Sequence, residues 1–152
     1  LDKVMAFLST IGDAGVLWFV IGVVLCVSKK YRRGGMQMLS AELLSFIVGN
    51  LIIKNMVDRL RPCQIDETVS LIVKIPFDSS FPSGHTLNGI TAAVTLMFID
   101  KRMGIPAIVL AVLIAFSRMY NFMHFPTDVL AGAVLGVVSA VFVNFLFKRA
   151  GN

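Results

Sequence analysis

Five long apolar runs constrain this chain more than any other feature. They cover residues 4–27, 34–53, 83–99, 104–120 and 126–147. A membrane-spanning helix needs about 20 mostly apolar residues. Asp13 is the only charge in the first run, Glu42 in the second, Arg118 in the fourth and Asp128 in the last, and the third has none. Of the 152 residues, 57% are hydrophobic and 15% are charged. A soluble domain carries about 25% charge and about 45–50% apolar residues. These values exclude an ordinary soluble domain and a disordered chain. The expected fold is all-α, a polytopic membrane helix bundle of about five transmembrane helices in one domain over residues 1–152. The third and fourth runs are short, so their ends are expected to lie in protein. Pro106 and Pro126 are expected just inside helix starts, where a missing amide hydrogen costs nothing. The chain begins at Leu1 with no initiator Met, so an N-terminal piece is expected to precede it. No signal peptide is visible in what remains.

The basic residues set the expected orientation. Five spans leave boundary segments that alternate between the two membrane sides. One side carries Lys29, Lys30, Arg32, Arg33, Lys101, Arg102, Lys148 and Arg149 against a single acid, Asp100. The other carries Lys3, Lys54, Arg59, Arg61, Lys74 and Arg118 among most of the acids. The positive-inside rule assigns the first side to the cytoplasm and the second to the outside. The net charge of +5 is split into short clusters between apolar runs. A nucleic-acid binder would gather it on one continuous face, so no nucleic-acid partner is expected. Cys26 and Cys63 fall at opposite ends of the bilayer in this arrangement and are not expected to pair. The only histidines are His85 and His124, and no metal-type Cys/His spacing exists.

Ionisable residues at membrane depth are costly and mark functional candidates. Three clusters fall on the expected outer side. The first is Lys54-Asn-Met-Val-Asp-Arg-Leu-Arg61-Pro62. Continued as a helix, it places Lys54 and Arg61 on one face with Asp58 between them. Taken alone, it reads better as a snorkelling anchor at a helix end. The second is Phe81-Pro82-Ser83-Gly84-His85. Ser83 suits an N-cap, Gly84 admits close backbone approach, and free amides at a helix start attract anions. Capping alone explains Ser83 but not a histidine at the membrane edge. The third holds Ser117, Arg118, His124 and Asp128. A carboxylate near an imidazole orients the ring and leaves its other nitrogen free, and Asp128 is expected within about 3 Å of a His124 ring nitrogen. A structural His–Asp hydrogen bond is the competing reading. Together, three cations, free amides and two imidazoles describe a phosphate site.

In order and spacing, the three clusters resemble the signature of the type 2 phosphatidic acid phosphatase family of membrane lipid phosphatases. Lysine, six residues and Arg-Pro are Lys54 to Pro62; Pro-Ser-Gly-His is Pro82 to His85; Ser-Arg, five residues, His, three residues and Asp are Ser117, Arg118, His124 and Asp128. The resemblance implies His124 as a nucleophile that forms a phosphohistidine and Asp128 as the residue that orients and charges it. It implies His85 as the acid for the leaving oxygen and then the base for water. Lys54, Arg61, Ser83, Gly84 and Arg118 would hold the phosphoryl oxygens, with no cofactor and no metal. Many members of the family have six helices, so the expected N-terminal piece is an amphipathic helix or a sixth span.

The implied partners are membrane lipids and a lipid phosphate substrate at the outer face of a bacterial cytoplasmic membrane. Undecaprenyl diphosphate ranks first as substrate, with phosphatidic acid and phosphatidylglycerol phosphate next. A catalytically inactive lipid-binding protein is the reading from another class. A soluble haloperoxidase is disfavoured by the spans, and a transporter by the concentration of charge at one face. Outside the motifs, Glu42 is expected to hydrogen-bond a neighbouring helix, and Asp13 to be a cap or interface residue. Asp128, Gly132, Gly136 and Ala140 form one small-residue face suited to close helix packing. The apolar stretch 69–73 inside the segment 63–81 reads as an interfacial lid or a plain covering loop. Were activity to need a metal, Asp66, Glu67 and Asp78 would be the candidate ligands.

Overall fold

The computed structural model describes residues 1–66, 68, 71–74, 76 and 78–151, without the side chain of Ala14. The expected lid therefore lies partly outside the described residues, as does Glu67. All regular structure among the described residues is helical. The order is α1 (Asp2–Ile11), a 3-10 turn (Asp13–Gly15), α2 (Val16–Val27), α3 (Arg32–Ser45), a π-helical stretch (Phe46–Ile53), α4 (Lys54–Val57), α5 (Pro62–Ile65), α6 (Gly84–Ile99), α7 (Lys101–Tyr120) and α8 (Pro126–Arg149). By length and composition, α3 with its continuation, α7 and α8 can cross a membrane, and α1 and α2 pass as one span bent by 47°. The remaining expected span, the third run, is α6, which is apolar but has only 16 residues.

Its position in the bundle explains why α6 can be short. It packs against α7, α8 and α3, so its polar groups meet protein. Thr91 Oγ1 donates to Leu87 O at 2.8 Å and Thr95 Oγ1 to Thr91 O at 2.8 Å, inside the helix's own turns. Trp18, Met38, Ala92, Ala93, Leu96, Ala111 and Ile114 form the apolar core around it. Large apolar side chains on the outer helices, including Phe19, Val24, Val109, Phe116, Val134 and Phe142, are exposed. Buried ionic groups beneath an apolar exterior are the arrangement that lipid favours.

The fourth run is longer than expected. Asp100 has an extended backbone, and its Oδ1 accepts from Arg102 N at 2.9 Å, so α7 starts at Lys101 and reaches 20 residues. Pro106 consequently lies in the second turn and not at the start, whereas Pro126 does open α8. Glu42 makes no interhelical hydrogen bond among the described residues, and its Oε1 is buried without a partner. Gln37 of α3 makes such a bond instead, donating from Nε2 to Asn144 Oδ1 of α8 at 3.2 Å. Cys26 and Cys63 are both free thiols. The small-residue face of α8 packs on α6, with Asp128, Gly132, Gly136 and Ala140 all buried.

Candidate active site

The first motif does not form one helical face. Helix α4 stops at Val57 because Asp58 takes a left-handed conformation (φ 33°), and Arg61 is extended before Pro62 opens α5. Gln64 Oε1 secures the new start by accepting from Arg61 N at 2.7 Å. Lys54 and Arg61 meet through a third residue, Asp78. Lys54 Nζ lies 2.5 Å from Asp78 Oδ2, and Arg61 Nη2 lies 2.7 Å from Asp78 Oδ1. Burial pushes the Asp78 carboxyl upward, but Lys54 and Arg61 outweigh it and hold the group below the usual carboxylate range. The π-helical stretch before α4 shifts the angular phase of the helix, and both Asn50 and Lys54 line the resulting cavity.

That cavity has a volume of about 780 Å³. It brings together Lys54, Arg61, Gly84, His85, Arg118 and His124, which the sequence distributes over three clusters. Ser83 and Asp128 do not line it. Ser83 is fully buried at the start of α6, where its Oγ accepts from Thr86 Oγ1 at 3.1 Å and makes no side-chain cap. Its backbone nitrogen donates to Asp128 O at 3.1 Å, tying α6 to α8. Ser83 thus supports the first turn of α6 from behind, while Gly84 faces the cavity.

His124 sits in the turn between α7 and α8, its backbone nitrogen donating to Arg118 O at 3.3 Å. Its Nδ1 is 2.7 Å from the Ser80 carbonyl oxygen, which can only accept. Its Nε2 is 3.2 Å from Arg61 Nη1, which can only donate. The two contacts assign the proton to Nδ1 and leave an Nε2 lone pair. Burial, reinforced by the charges of Arg61 and Arg118, lowers the His124 pKa to about 4 against the pull of Asp128. The ring is therefore neutral near pH 7.

Asp128 departs from expectation. Its Oδ2 is 3.8 Å from His124 Nδ1, beyond hydrogen-bond length. The carboxylate is held by three other groups: Ser80 Oγ donates at 2.6 Å, Phe125 N at 2.8 Å and Arg59 Nη1 at 2.7 Å. Arg59 also donates to Thr127 Oγ1 at 2.8 Å and stacks over Phe125. Ser80 thus stands between the two expected partners, its carbonyl on His124 and its hydroxyl on Asp128. Asp128 acts on the ring as a nearby charge.

The N-terminal helix adds two groups. Ser9 of α1 accepts from Arg118 Nη1. Asp13 is neither a cap nor a plain interface residue: its Oδ1 lies 2.9 Å from His85 Nε2, and it lines the cavity. Its signal in the sequence was its place as the only charge in the first run, on the same side as the motifs. Ser80 had no such mark, and Arg59 and Asp78, though noted in the first cluster and as a candidate metal ligand, were given no place at this site. Among the described residues, no three His, Cys, Asp or Glu side chains are grouped to hold a metal ion.

A sequence model of the PAP2 superfamily matches residues 34–151. The chain is 36% identical over 137 residues to an undecaprenyl-diphosphatase of Sulfolobus acidocaldarius, an alignment covering 90% of this chain and 66% of that protein. It superposes on the crystal structure of a transmembrane PAP2-type phosphatidylglycerolphosphate phosphatase from Bacillus subtilis with a TM-score of 0.78 and 28% identity, over 98% and 77% of the two chains. Aquifex aeolicus LpxE gives a TM-score of 0.82 and 26% identity, over 95% and 85%.

Proposed function

The chain belongs to the PAP2 superfamily, and we propose that it is a membrane lipid phosphatase that works through a phosphohistidine on His124 without a metal ion. One observation carries the reading: a neutral imidazole presents its Nε2 lone pair beside Arg61, in a cavity shared with Lys54, Arg118 and the first turn of α6. Phosphoryl transfer needs an in-line nucleophile, an acid for the leaving group and positive charge around the equatorial oxygens. In the first step Nε2 of His124 bonds the terminal phosphorus as that atom's P–O bond to the leaving group breaks, at the bridging oxygen of a lipid diphosphate or the ester oxygen of a lipid monophosphate, and the leaving oxygen takes a proton from His85. In the second, water attacks the phosphohistidine and gives its proton back to His85, and the P–N bond breaks. Asp128 offsets the positive charge on the phosphorylated ring, whose Nδ1 proton stays on Ser80 O.

The proposed substrate is undecaprenyl diphosphate, supported by the name of the Sulfolobus relative. Phosphatidylglycerol phosphate is the second reading, supported by the name of the Bacillus structure. The cavity is assigned to the outer face because the basic clusters lie at the opposite helix ends. Phosphate release by the purified protein, measured across lipid phosphates and diphosphates with and without EDTA, tests the reading. Activity should survive EDTA, and His124→Ala should abolish turnover without unfolding the protein. Loss in EDTA restored by Mg²⁺, or phosphate trapped on a residue other than His124, would contradict it.

A further inference from the structure

The cavity contains a second histidine–carboxylate pair, and its carboxylate comes from the 3-10 turn between α1 and α2, before the segment matched by the superfamily model. His85 is the second residue of α6. Its Nε2 is 2.9 Å from Asp13 Oδ1. The same edge of the ring is closed by Gly12: a Cβ placed there would lie 2.8 Å from His85 Cδ2 and 2.7 Å from Ile114 Cγ2. No other residue fits between α1, α7 and this ring without displacing one of them. The Cδ2–Nε2 edge of His85 is therefore held by Gly12 and Asp13, and Nδ1 lies on the other edge.

The placement of Asp13 is built by its surroundings. Helix α1 is fastened to the end of α7 by Tyr120 Oη on Asp2 Oδ1 at 2.7 Å, by Asn121 Nδ2 on Met5 O at 3.3 Å and by the Arg118–Ser9 bond. Gly15, with φ 68°, then turns the chain into α2, and a side chain there would collide with Asn88 of α6. The 3-10 turn between these anchors directs Asp13 to His85.

We propose that Asp13 is a positioning residue for the leaving-group step, holding His85 by its Nε2–H so that Nδ1 serves the leaving oxygen. This rests on the phosphatase reading above. In the first half-reaction the Nδ1 proton passes to the leaving oxygen as the P–O bond breaks and the P–N bond to His124 forms. In the second, Nδ1 takes the proton of the attacking water as the P–N bond breaks and the new P–O bond forms. Nε2 keeps its proton throughout and donates it to Asp13 Oδ1, so the ring keeps one orientation in both charge states.

The assay uses the full-length protein in detergent with two substrates of one lipid series. One is an alkyl phosphate, whose leaving oxygen needs a proton; the other is an aryl phosphate, whose leaving oxygen does not. In the first turnover, Asp13→Asn should slow release of the alkyl alcohol on the order of 10²-fold and spare release of the aryl alcohol, while later turnovers on both, which need His85 as the base for water, slow together. Asp13→Glu should restore most of the alkyl activity. In a His85→Ala background, Asp13→Asn should cause no further loss. Equal first-turnover losses on both substrates, no loss on either, or an additive loss in the His85→Ala background would overturn the inference. A wild-type protein inactive on both substrates and on the lipid diphosphates of the panel above refutes the phosphatase reading, and this inference with it. A wild-type protein active on both, with Asp13→Asn unchanged, refutes the inference alone.

Discussion

Gly132→Ala should damage catalysis more than stability, and Gly136→Ala the reverse. Both glycines lie where α8 packs on α6. A Cβ at Gly132 would sit 2.7 Å from Ser83 O and 3.2 Å from Leu87 N; one at Gly136 would sit 2.8 Å from Leu87 O and 3.1 Å from Ile90 Cβ. The shorter distance at each site, to a backbone oxygen, is more than half an ångström short of the 3.4 Å at which ordinary contact begins, so a backbone must move. Overpacking of this kind costs about 2 kcal/mol. Alanine returns about 1 kcal/mol through its helix propensity. The net loss of about 1 kcal/mol corresponds to roughly 3 °C in Tm. The two sites differ in what the shift carries. Ser83 O accepts from Leu87 N at 2.9 Å, and Ser83 N donates to Asp128 O. Pushing Ser83 therefore moves the turn that bears Gly84 and His85. A misplacement near 1 Å costs about 10²-fold in rate, so Gly132→Ala should lose on the order of tenfold or more in kcat. Gly136→Ala presses one turn deeper, on residues outside the cavity, and should keep kcat within about threefold. Thermal unfolding in detergent and phosphate release on the same preparations measure both quantities. Equal kcat losses in the two variants, or wild-type kcat in Gly132→Ala, would refute the coupling between this packing and the site.

Asp78→Asn should tighten inhibition by inorganic phosphate about fivefold, because a half-exposed ion pair worth about 1 kcal/mol no longer competes for Lys54 and Arg61; an unchanged or weaker inhibition constant would show that Asp78 does not occupy the anion position. Ser80→Ala removes a hydrogen bond to Asp128 but keeps the carbonyl on His124, so nitrogen NMR of labelled histidine should still show the Nδ1–H tautomer, while a switch to Nε2–H would assign tautomer control to the hydroxyl. The pKa of about 4 for His124 makes the native ring refuse a proton that the unfolded ring accepts below about 6.5. Stability should therefore fall as pH drops from about 6.5 to about 4 and this contribution should then level off, and a His124 titration midpoint near 6.5 in the folded protein would contradict the burial argument.

The sequence reveals helices and clusters because both are local properties. An apolar run long enough for a bilayer has few alternatives to a helix, and Arg118, His124 and Asp128 are brought close by one turn between α7 and α8. What it hides is conformation and distant contact. The end of α4 at Asp58 depends on one residue adopting a left-handed backbone, which a helical reading of residues 54–62 passes over. The role of Ser80 rests largely on its carbonyl oxygen, a group every residue type has. Asp13 and His85 are 72 positions apart, and only the packing of α1 on α7 brings them together. The lone acid of the first run was visible, but its partner was not.

The charges of the site are unevenly matched, and the imbalance bears on how substrate is held. Lys54 and Arg61 share Asp78, and Arg59 has Asp128. Arg118 is different. It is buried, it bonds the neutral hydroxyl of Ser9, its Nε has no hydrogen-bond partner, and among the described residues no carboxylate lies within ion-pair distance of it. A buried guanidinium without a counter-charge is costly, and the fold tolerates it here at the wall of an open cavity. A phosphoryl group entering beside His124 would supply the missing anion and so gain more from Arg118 than from a cation already paired. Lys54 and Arg61 must exchange one anion for another, whereas Arg118 simply acquires one. The strongest fixed attraction therefore lies on the α7 side of the cavity, on the same wall as α1, next to the His85–Asp13 pair that the leaving oxygen must reach.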